Sequence, residues 1–401
     1  LNARRLSSHC HANAVDARAA GPYPARPPTV WIAPMRRALL ILCACLLLAG
    51  FAWPDAADML GKRLVAPGGV SPILPTTRIE ASIARLPHRQ GWVSTSAGVK
   101  LFWRAFDPGA YRLDYAYRPD GTQAGRMQFD LDAAAPVRYP GAPRGTVVLL
   151  HGWMMDGGSL LPWSLQLAQA GYRTITLDLR NHGRSGAAPS GYGLREARDV
   201  ADAITALRER GEVVGPLHLM GVSYGAATAI FSARELGAEV DNVIAIESFD
   251  NAGGAIRDMV PHMLAKPPES MSQRISHRLL RMQLDDGALE RAIASASDTL
   301  QLRLDRVDVG AALAQVPSCV LLLHGREDQH VPVAHGRALA AAAPRAHYIE
   351  VAGEDHISLP MRLDLLAPTV IDWLDNADPA RKFCPSPLAL ALAQPRQARH
   401  A

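Results

Sequence analysis

The amino-acid sequence predicts an α/β protein built on a doubly wound, mostly parallel sheet with a small helical cap insertion. Two observations lead there. Residues 146–150, 173–177, 217–222, 243–247, 318–323 and 347–351 are short, apolar, partly β-branched runs of the kind buried on both faces of a parallel sheet. Helical patterns fall between most of them. Ala197, Val200, Ala201, Ile204 and Leu207 recur at helical spacing while Arg198, Asp202, Arg208 and Glu209 face away, so 194–210 reads as an amphipathic crossover helix. Strand and helix in alternation specify a doubly wound sheet, whose active site belongs outside the carboxyl ends of its strands.

The chain has 401 residues, 48% apolar and 20% charged, with no repeats and no low-complexity tract. That is globular composition, long enough for one large α/β domain or two ordinary ones. The net charge of +4 is misleading. Arg4, Arg5, Arg18, Arg26, Arg36 and Arg37 against Asp16 put +5 into the first 37 residues, which leaves −1 for the rest. A near-neutral body without a basic stripe gives no electrostatic case for a nucleic-acid partner.

Met35, Arg36 and Arg37 precede an uncharged run of 16 residues, 38–53, that ends at Pro54 and Asp55. A positive start, an apolar run and the small residues Gly50 and Ala52 read as an export signal. A retained anchor is the alternative, since the run falls just short of the roughly 17 to 25 residues that span a bilayer. Either way the arginines stay on the cytoplasmic side, the rest of the chain lies outside, and 38–53 offers a membrane contact. Residues 1–34 are rich in proline and begin with Leu, so they are expected to be disordered or untranslated, with Met35 as the start. Cys43 and Cys45 lie inside the apolar run without the small residues that lipidation requires. Cys319 adjoins the apolar run Val320-Leu321-Leu322-Leu323 and reads as a buried thiol. An oxidising compartment would permit a Cys319–Cys384 disulfide, but the sequence does not lead one to expect it.

Residues 55–89, rich in Pro and Gly, read as a linker with one short helical stretch at 79–86. The folded domain then spans 90–376. It opens with a hairpin, 92–95 and 99–106 around Ser96-Ala97-Gly98, and further antiparallel strands are expected at 111–117 and 127–131. Residues 249–316 break the alternation and form the cap. Met259, Met263, Met271 and Met282 there either line an adaptable apolar pocket or fill the cap's own core. The tail, 377–401, carries Pro379, Pro385, Pro387 and Pro395 and is expected to be disordered.

Gly221-Val222-Ser223-Tyr224-Gly225 follows a strand and opens a helix at 226–235. A serine on so sharp a turn takes strained backbone angles, and the flanking glycines let strand and helix approach. Such an elbow presents a nucleophile, whose partners follow in the order acid, then histidine. His324-Gly325-Arg326-Glu327-Asp328-Gln329-His330-Val331-Pro332 and Ala352-Gly353-Glu354-Asp355-His356 each lie just beyond a strand. Ser223 would attack a carbonyl, His356 would carry the proton, and Asp328 would hold the imidazole tautomer. Glu327 and Glu247 are rival acids. His324 and His330 read as loop-structuring, and Asp355 as a solvent-facing neighbour. After the strand at 146–150, His151-Gly152-Trp153 supplies a loop whose Trp153 N–H, with that of Tyr224, would bind an oxyanion. The Trp153 side chain either lines the pocket or packs, His151 braces the loop, and 178–185 is a structural polar turn.

With these residues in order, the sequence resembles the α/β-hydrolase superfamily over 92–374, in the branch of serine-aminopeptidase-like proteins and monoacylglycerol-lipase-like esterases. The resemblance implies the α/β-hydrolase fold, serine hydrolase chemistry and an acyl-enzyme. Haloalkane dehalogenases and epoxide hydrolases of this fold use an aspartate at the elbow, so Ser223 argues against both. The sequence departs from the family in a longer 111–131 region and in the signal-like start. Carboxylic ester or lipid cleavage is the first expectation, with a small-molecule acyl substrate and no cofactor. Aminopeptidase activity is second and would need cap carboxylates, Glu269, Asp285, Asp286 or Glu290, to hold an ammonium. A non-catalytic binding protein is third, although none of the triad is lost. No His-Glu-x-x-His, paired-Cys or Gly-rich phosphate motif is present, so no metal site is expected.

Overall fold

Alternate residues of a buried strand face opposite layers, and that alternation divides the core of this chain in two. The computed structural model describes residues 55–68, 76–111, 115–117, 127–129, 137–265, 274, 278, 281, 285–376, 384 and 386. The expectations for 1–54 and for nearly all of 377–401 lie outside these residues. Among the described residues no helix is long and apolar enough to cross a membrane.

The strands are β1 (Arg89–Ser94), β2 (Lys100–Phe106), β3 (Gly109–Ala110), β4 (Tyr115–Tyr117), β5 (Met127–Phe129), β6 (Val137–Arg138), β7 (Thr146–Leu150), β8 (Arg173–Leu177), β9 (Leu217–Val222), β10 (Asn242–Ile246), β11 (Cys319–Gly325) and β12 (His347–Val351). The main sheet runs β1-β2-β8-β7-β9-β10-β11-β12. Strands β8 to β12 and β7 pair in parallel, while the β1–β2 hairpin joins β8 antiparallel at the edge. β4 and β5, in the region expected to hold extra strands, form their own antiparallel pair, as do β3 and β6. Chain order reverses at β7, with β8 on one side and β9 on the other, so the crevice for a ligand opens above the ends of β7 and β9.

The helices are α1 (Ala56–Val65), α2 (Thr76–Ile83), α3 (Leu161–Gln169), α4 (Leu194–Glu209), α5 (Tyr224–Leu236), α6 (Ala252–Ala265), α7 (Asp286–Leu300), α8 (Val309–Leu313), α9 (Val333–Ala342) and α10 (Leu363–Asn376). Val147 and Leu149 of β7, Ile244 and Ile246 of β10 and Leu321 and Leu323 of β11 face the layer of α3 and α10, where Trp163 and Trp373 are buried. Val148 and Leu150, Val243 and Ala245, and Val320 and Leu322 face the layer of α4, α5, α8 and α9. Within the range expected for the cap, 249–316, α6, α7 and α8 all contribute buried residues to this second cluster. Met271 and Met282 lie outside the described residues.

Two expectations are corrected. Residues 55–89 are not a linker: α1 and α2 form there, and Ala57 and Leu64 of α1 join the main core. Asp55 caps α1 by accepting from Ala57 N at 3.0 Å, and the helix's buried face is Ala56, Ala57, Gly61 and Leu64, with one large apolar residue among them, which an apolar count overlooks. A Cβ on Gly61 would lie 3.4 Å from the Ala292 carbonyl, so α1 rests closely on α7. Cys319 is also no free thiol: it is bonded to Cys384, with a Cα–Cα distance of 5.5 Å. It is buried as expected, but burial suits a disulfide as well as a thiol and could not decide between them.

The disulfide closes a loop across 65 residues, which in the chain-entropy account is worth up to about 4 kcal/mol. Cys384→Ser should therefore lower the urea midpoint measurably, and an unchanged midpoint would show that the tether adds nothing.

Candidate active site

The elbow forms because side chains are absent where backbone must pass. A Cβ on Gly221 would come 2.1 Å from the Gly225 carbonyl, and one on Gly225 would come 2.1 Å from the Leu150 carbonyl. Only with both glycines can β9 turn into α5 while α5 rests on the end of β7. Ser223 sits between them in the left-handed region (φ 53°), held by its N–H to the Ile246 carbonyl at 2.8 Å. The strain is shared along the sheet. Met154, Asn181, Ser223 and Glu247, after β7, β8, β9 and β10 respectively, all take positive φ, which costs a non-glycine residue of order 1 kcal/mol or more.

The structure brings three of the sequence-predicted residues together. His356 Nε2 is 3.0 Å from Ser223 Oγ, and His356 Nδ1 is 2.7 Å from Asp328 Oδ2. Asp328 is buried, and its Oδ1 accepts the N–H groups of His330 (2.8 Å) and Val331 (2.9 Å). Burial alone would raise its pKa. The positive potential of His356 and hydrogen bonds from His324, His356 and Val331 more than reverse that and hold the carboxyl well below its usual range. Glu327 points elsewhere, accepting Gly353 N–H at 2.7 Å from an exposed position. Glu247 is the closer rival: fully buried, its Oε2 lies 3.5 Å from His356 Nδ1.

His324 braces the acid loop by donating from Nε2 to the Val331 carbonyl at 2.8 Å. Two neighbouring expectations need correction. His330 does more than shape a loop, since it lines the pocket with its ring 5.3 Å from that of His356. Asp355 is not simply solvent-facing. Its Oδ1 accepts the N–H groups of Ile357 (2.9 Å) and Ser358 (2.8 Å), fastening the turn that follows His356.

The loop after β7 lies against the elbow: a Cβ on Gly152 would stand 3.8 Å from Ser223 Cβ. The Tyr224 N–H, at the first position of α5, has no acceptor inside its helix. His151 donates from Nδ1 to the Gly152 carbonyl and accepts Leu179 N–H at Nε2, which fixes a neutral tautomer. Burial lowers its pKa to about 4, so it braces without taking charge. The Trp153 ring stacks on Tyr192 at 5.3 Å and meets Tyr224 and His182 edge-on, and it also reaches the pocket, so packing and lining coincide. The polar turn at 178–185 bonds within the fold. Asp178 accepts Gly157 and Arg184 N–H groups, and Arg180 pairs with buried Asp199 at 2.6 Å. Burial pushes Asp178 up to about 6 and His182 down to about 3.

Ser223 and His356 open into a pocket of roughly 990 Å³, counting its mouth. Met154, Met155, Met259, Met263 and Met361 share its walls with Trp153, Trp163, Leu160 and Leu363, and among the described residues no carboxylate, lysine or arginine lines it. Met259 and Met263 thus face the pocket, on the cap's helix α6. Pocket residues such as Trp163 and Met361 were not legible from sequence, because they come from α3 and from the segment before α10, far from any motif.

Residues 147–388, more than half of the chain, match the alpha/beta hydrolase family. The protein YqkD of Bacillus subtilis is 26% identical over 238 residues, covering 58% of this chain and 71% of that protein. The AB hydrolase superfamily protein YisY, also of Bacillus subtilis, is 25% identical over 229 residues, covering 52% and 84%. Among solved structures, the Pyrococcus furiosus esterase Pf2001 superimposes with a TM-score of 0.52 at 15% identity, covering 78% of this chain and 98% of its own.

Because the atoms facing each elbow glycine are backbone, Gly225→Ala should destabilise the fold by about 3 kcal/mol or more, at the upper end of what single substitutions cost. Chemical denaturation measures it, and a loss below about 1 kcal/mol would mean that the elbow is not the close contact described.

Proposed function

The chain belongs to the alpha/beta hydrolase family, and on that footing we propose that it is an exported or membrane-anchored serine hydrolase cleaving carboxylic esters with an apolar acyl group. The observation that carries the reading is the Ser223–His356–Asp328 hydrogen-bond chain at the mouth of a methionine-rich pocket whose described lining is mostly apolar.

Ser223 Oγ attacks the ester carbonyl carbon while its proton passes to His356 Nε2, 3.0 Å away. Asp328 accepts the Nδ1–H, which fixes the tautomer that leaves Nε2 free and offsets the imidazolium charge that then forms. The negative charge arriving on the carbonyl oxygen is met by the N–H groups of Trp153 and Tyr224, each typically worth about 3 kcal/mol. Collapse expels the alkoxide, which takes the proton from Nε2, and water repeats the sequence on the acyl-enzyme to release the acid.

An aminopeptidase is the weaker reading. Glu290 is engaged by Arg257 at 2.6 and 2.8 Å, and Asp285 caps α7 by accepting Ala288 N–H at 2.7 Å. Glu269 and the Asp286 side chain lie outside the described residues. No carboxylate among the described residues lines the pocket, so none of them would pair a substrate ammonium there. A purely binding role would leave the strained serine and the charged aspartate without purpose. Export is favoured by the apolar run at 38–53 and by the Cys319–Cys384 disulfide, which an oxidising compartment maintains.

On a p-nitrophenyl ester series from acetate to palmitate, turnover should show a chain-length optimum, and Ser223→Ala should lose essentially all of it while keeping its circular dichroism. A Ser223→Ala enzyme at native rate would sink the proposal. Asp328→Asn should lose at least about a hundredfold in kcat/KM, short of the full loss seen when a triad aspartate has no substitute. Glu327→Gln should stay within about twofold. The reverse order would identify Glu327 as the acid.

A further inference from the structure

Glu247 stands at the same imidazole, and the mechanism above leaves it unused. Its Oε2 lies 3.5 Å from His356 Nδ1, the nitrogen that Asp328 Oδ2 meets at 2.7 Å. One ligand atom from each of Glu247, Asp328 and His356 falls within 4.8 Å of the others. The backbone is shaped around this carboxyl. Glu247 itself takes a left-handed φ of 55°, its N–H is fixed to the Leu323 carbonyl at 2.8 Å, and a Cβ on Gly325 would stand only 3.0 Å from Glu247 Oε1. The side chain is fully buried, and neither oxygen makes a well-formed hydrogen bond among the described residues, the Gly325 backbone and His356 Nδ1 being its polar neighbours. A buried carboxyl so poorly satisfied, held by strained backbone and beside the working histidine, is costly unless it serves that histidine.

We infer that Glu247 is a second carboxyl partner of His356 Nδ1, a positioning residue placed to accept the same N–H that Asp328 accepts. The inference rests on the serine-hydrolase reading.

Two carboxylates so close in a dry site do not both ionise. Asp328 wins the charge, because backbone N–H groups and the imidazoles of His324 and His356 stabilise it. Glu247 is pushed well above the ordinary range, first by burial, then by the negative charges of Asp328, Asp355 and Glu354; the Gly325 backbone pulls the other way without reversing it. The native arrangement therefore favours the proton on Glu247 and the charge on Asp328, so that the imidazolium faces one anion. Removing the Asp328 charge removes that repulsion, so Glu247 ionises more readily and its Oε2 can take the Nδ1–H. Because its pKa is raised, the ionised fraction grows as pH rises.

The test is a double-mutant cycle on the full chain, kcat/KM against pH for wild type, Asp328→Asn, Glu247→Gln and the double variant. Asp328→Asn should keep a residual rate that the double variant lacks by about tenfold or more, with the gap widening as pH rises. A double variant that tracks Asp328→Asn at every pH overturns the inference. So does a Glu247→Gln enzyme as damaged as Asp328→Asn, which would make Glu247 the charged partner. Should Glu247→Gln not fold, infrared spectra of wild type decide: a buried carboxylic-acid carbonyl band present at neutral pH and weakened in Asp328→Asn supports it, and no such band overturns it. Ser223→Ala measured alongside keeps the two claims apart. If it retains turnover the hydrolase reading falls, whereas an inert Ser223→Ala with no coupling in the cycle removes only the role of Glu247.

Discussion

The close passage of backbone at the elbow is the constraint on which the rest of this protein depends. The end of β7, the turn at Ser223 and the first turn of α5 occupy a space that two missing side chains leave open. That contact sits where chain order reverses in the sheet, so the same few residues set the strand crossing, place Ser223 above the crevice and bring the loop after β7 against it. Strain accompanies each of these functions. Left-handed backbone follows β7, β8, β9 and β10 in turn, and the buried layers on both sides of the sheet hold it in place.

Charge is handled at the site by burial and by the count of donors. Asp328 and Glu247 are equally buried and close to one imidazole, yet their environments part them: Asp328 collects backbone N–H groups and two histidines, while Glu247 collects neighbouring anions. His151 and His182, also buried, are kept neutral, and the imidazole that meets both Ser223 and Asp328 is that of His356. The pocket beyond is apolar and lined by flexible methionines, which suits an acyl chain better than a charged group.

The sheet was legible because parallel strands are buried on both faces and so appear as unbroken apolar runs; β7, β8, β9 and β12 fall where those runs fall. The residues around Ser223, Asp328 and His356 were legible because each follows a strand in an order the fold imposes. Other features depend on distances across the chain that no local pattern encodes. Beside Leu64, helix α1 buries Ala and Gly, which carry little hydrophobic signal. Cys384 meets Cys319 only through tertiary packing. Glu247 was visible as a rival acid and His330 only as a loop residue, and their distance from His356 is a property of how three loops converge.

The central claim is that Ser223 is an activated acyl-transfer nucleophile. Labelling the native protein with a fluorophosphonate and mapping the adduct by peptide mass spectrometry tests it most directly. The account predicts a single adduct on the Ser223 peptide, formed at a rate that falls when His356 is replaced by Ala. Folded protein that takes no label, or takes it at another serine, would contradict it.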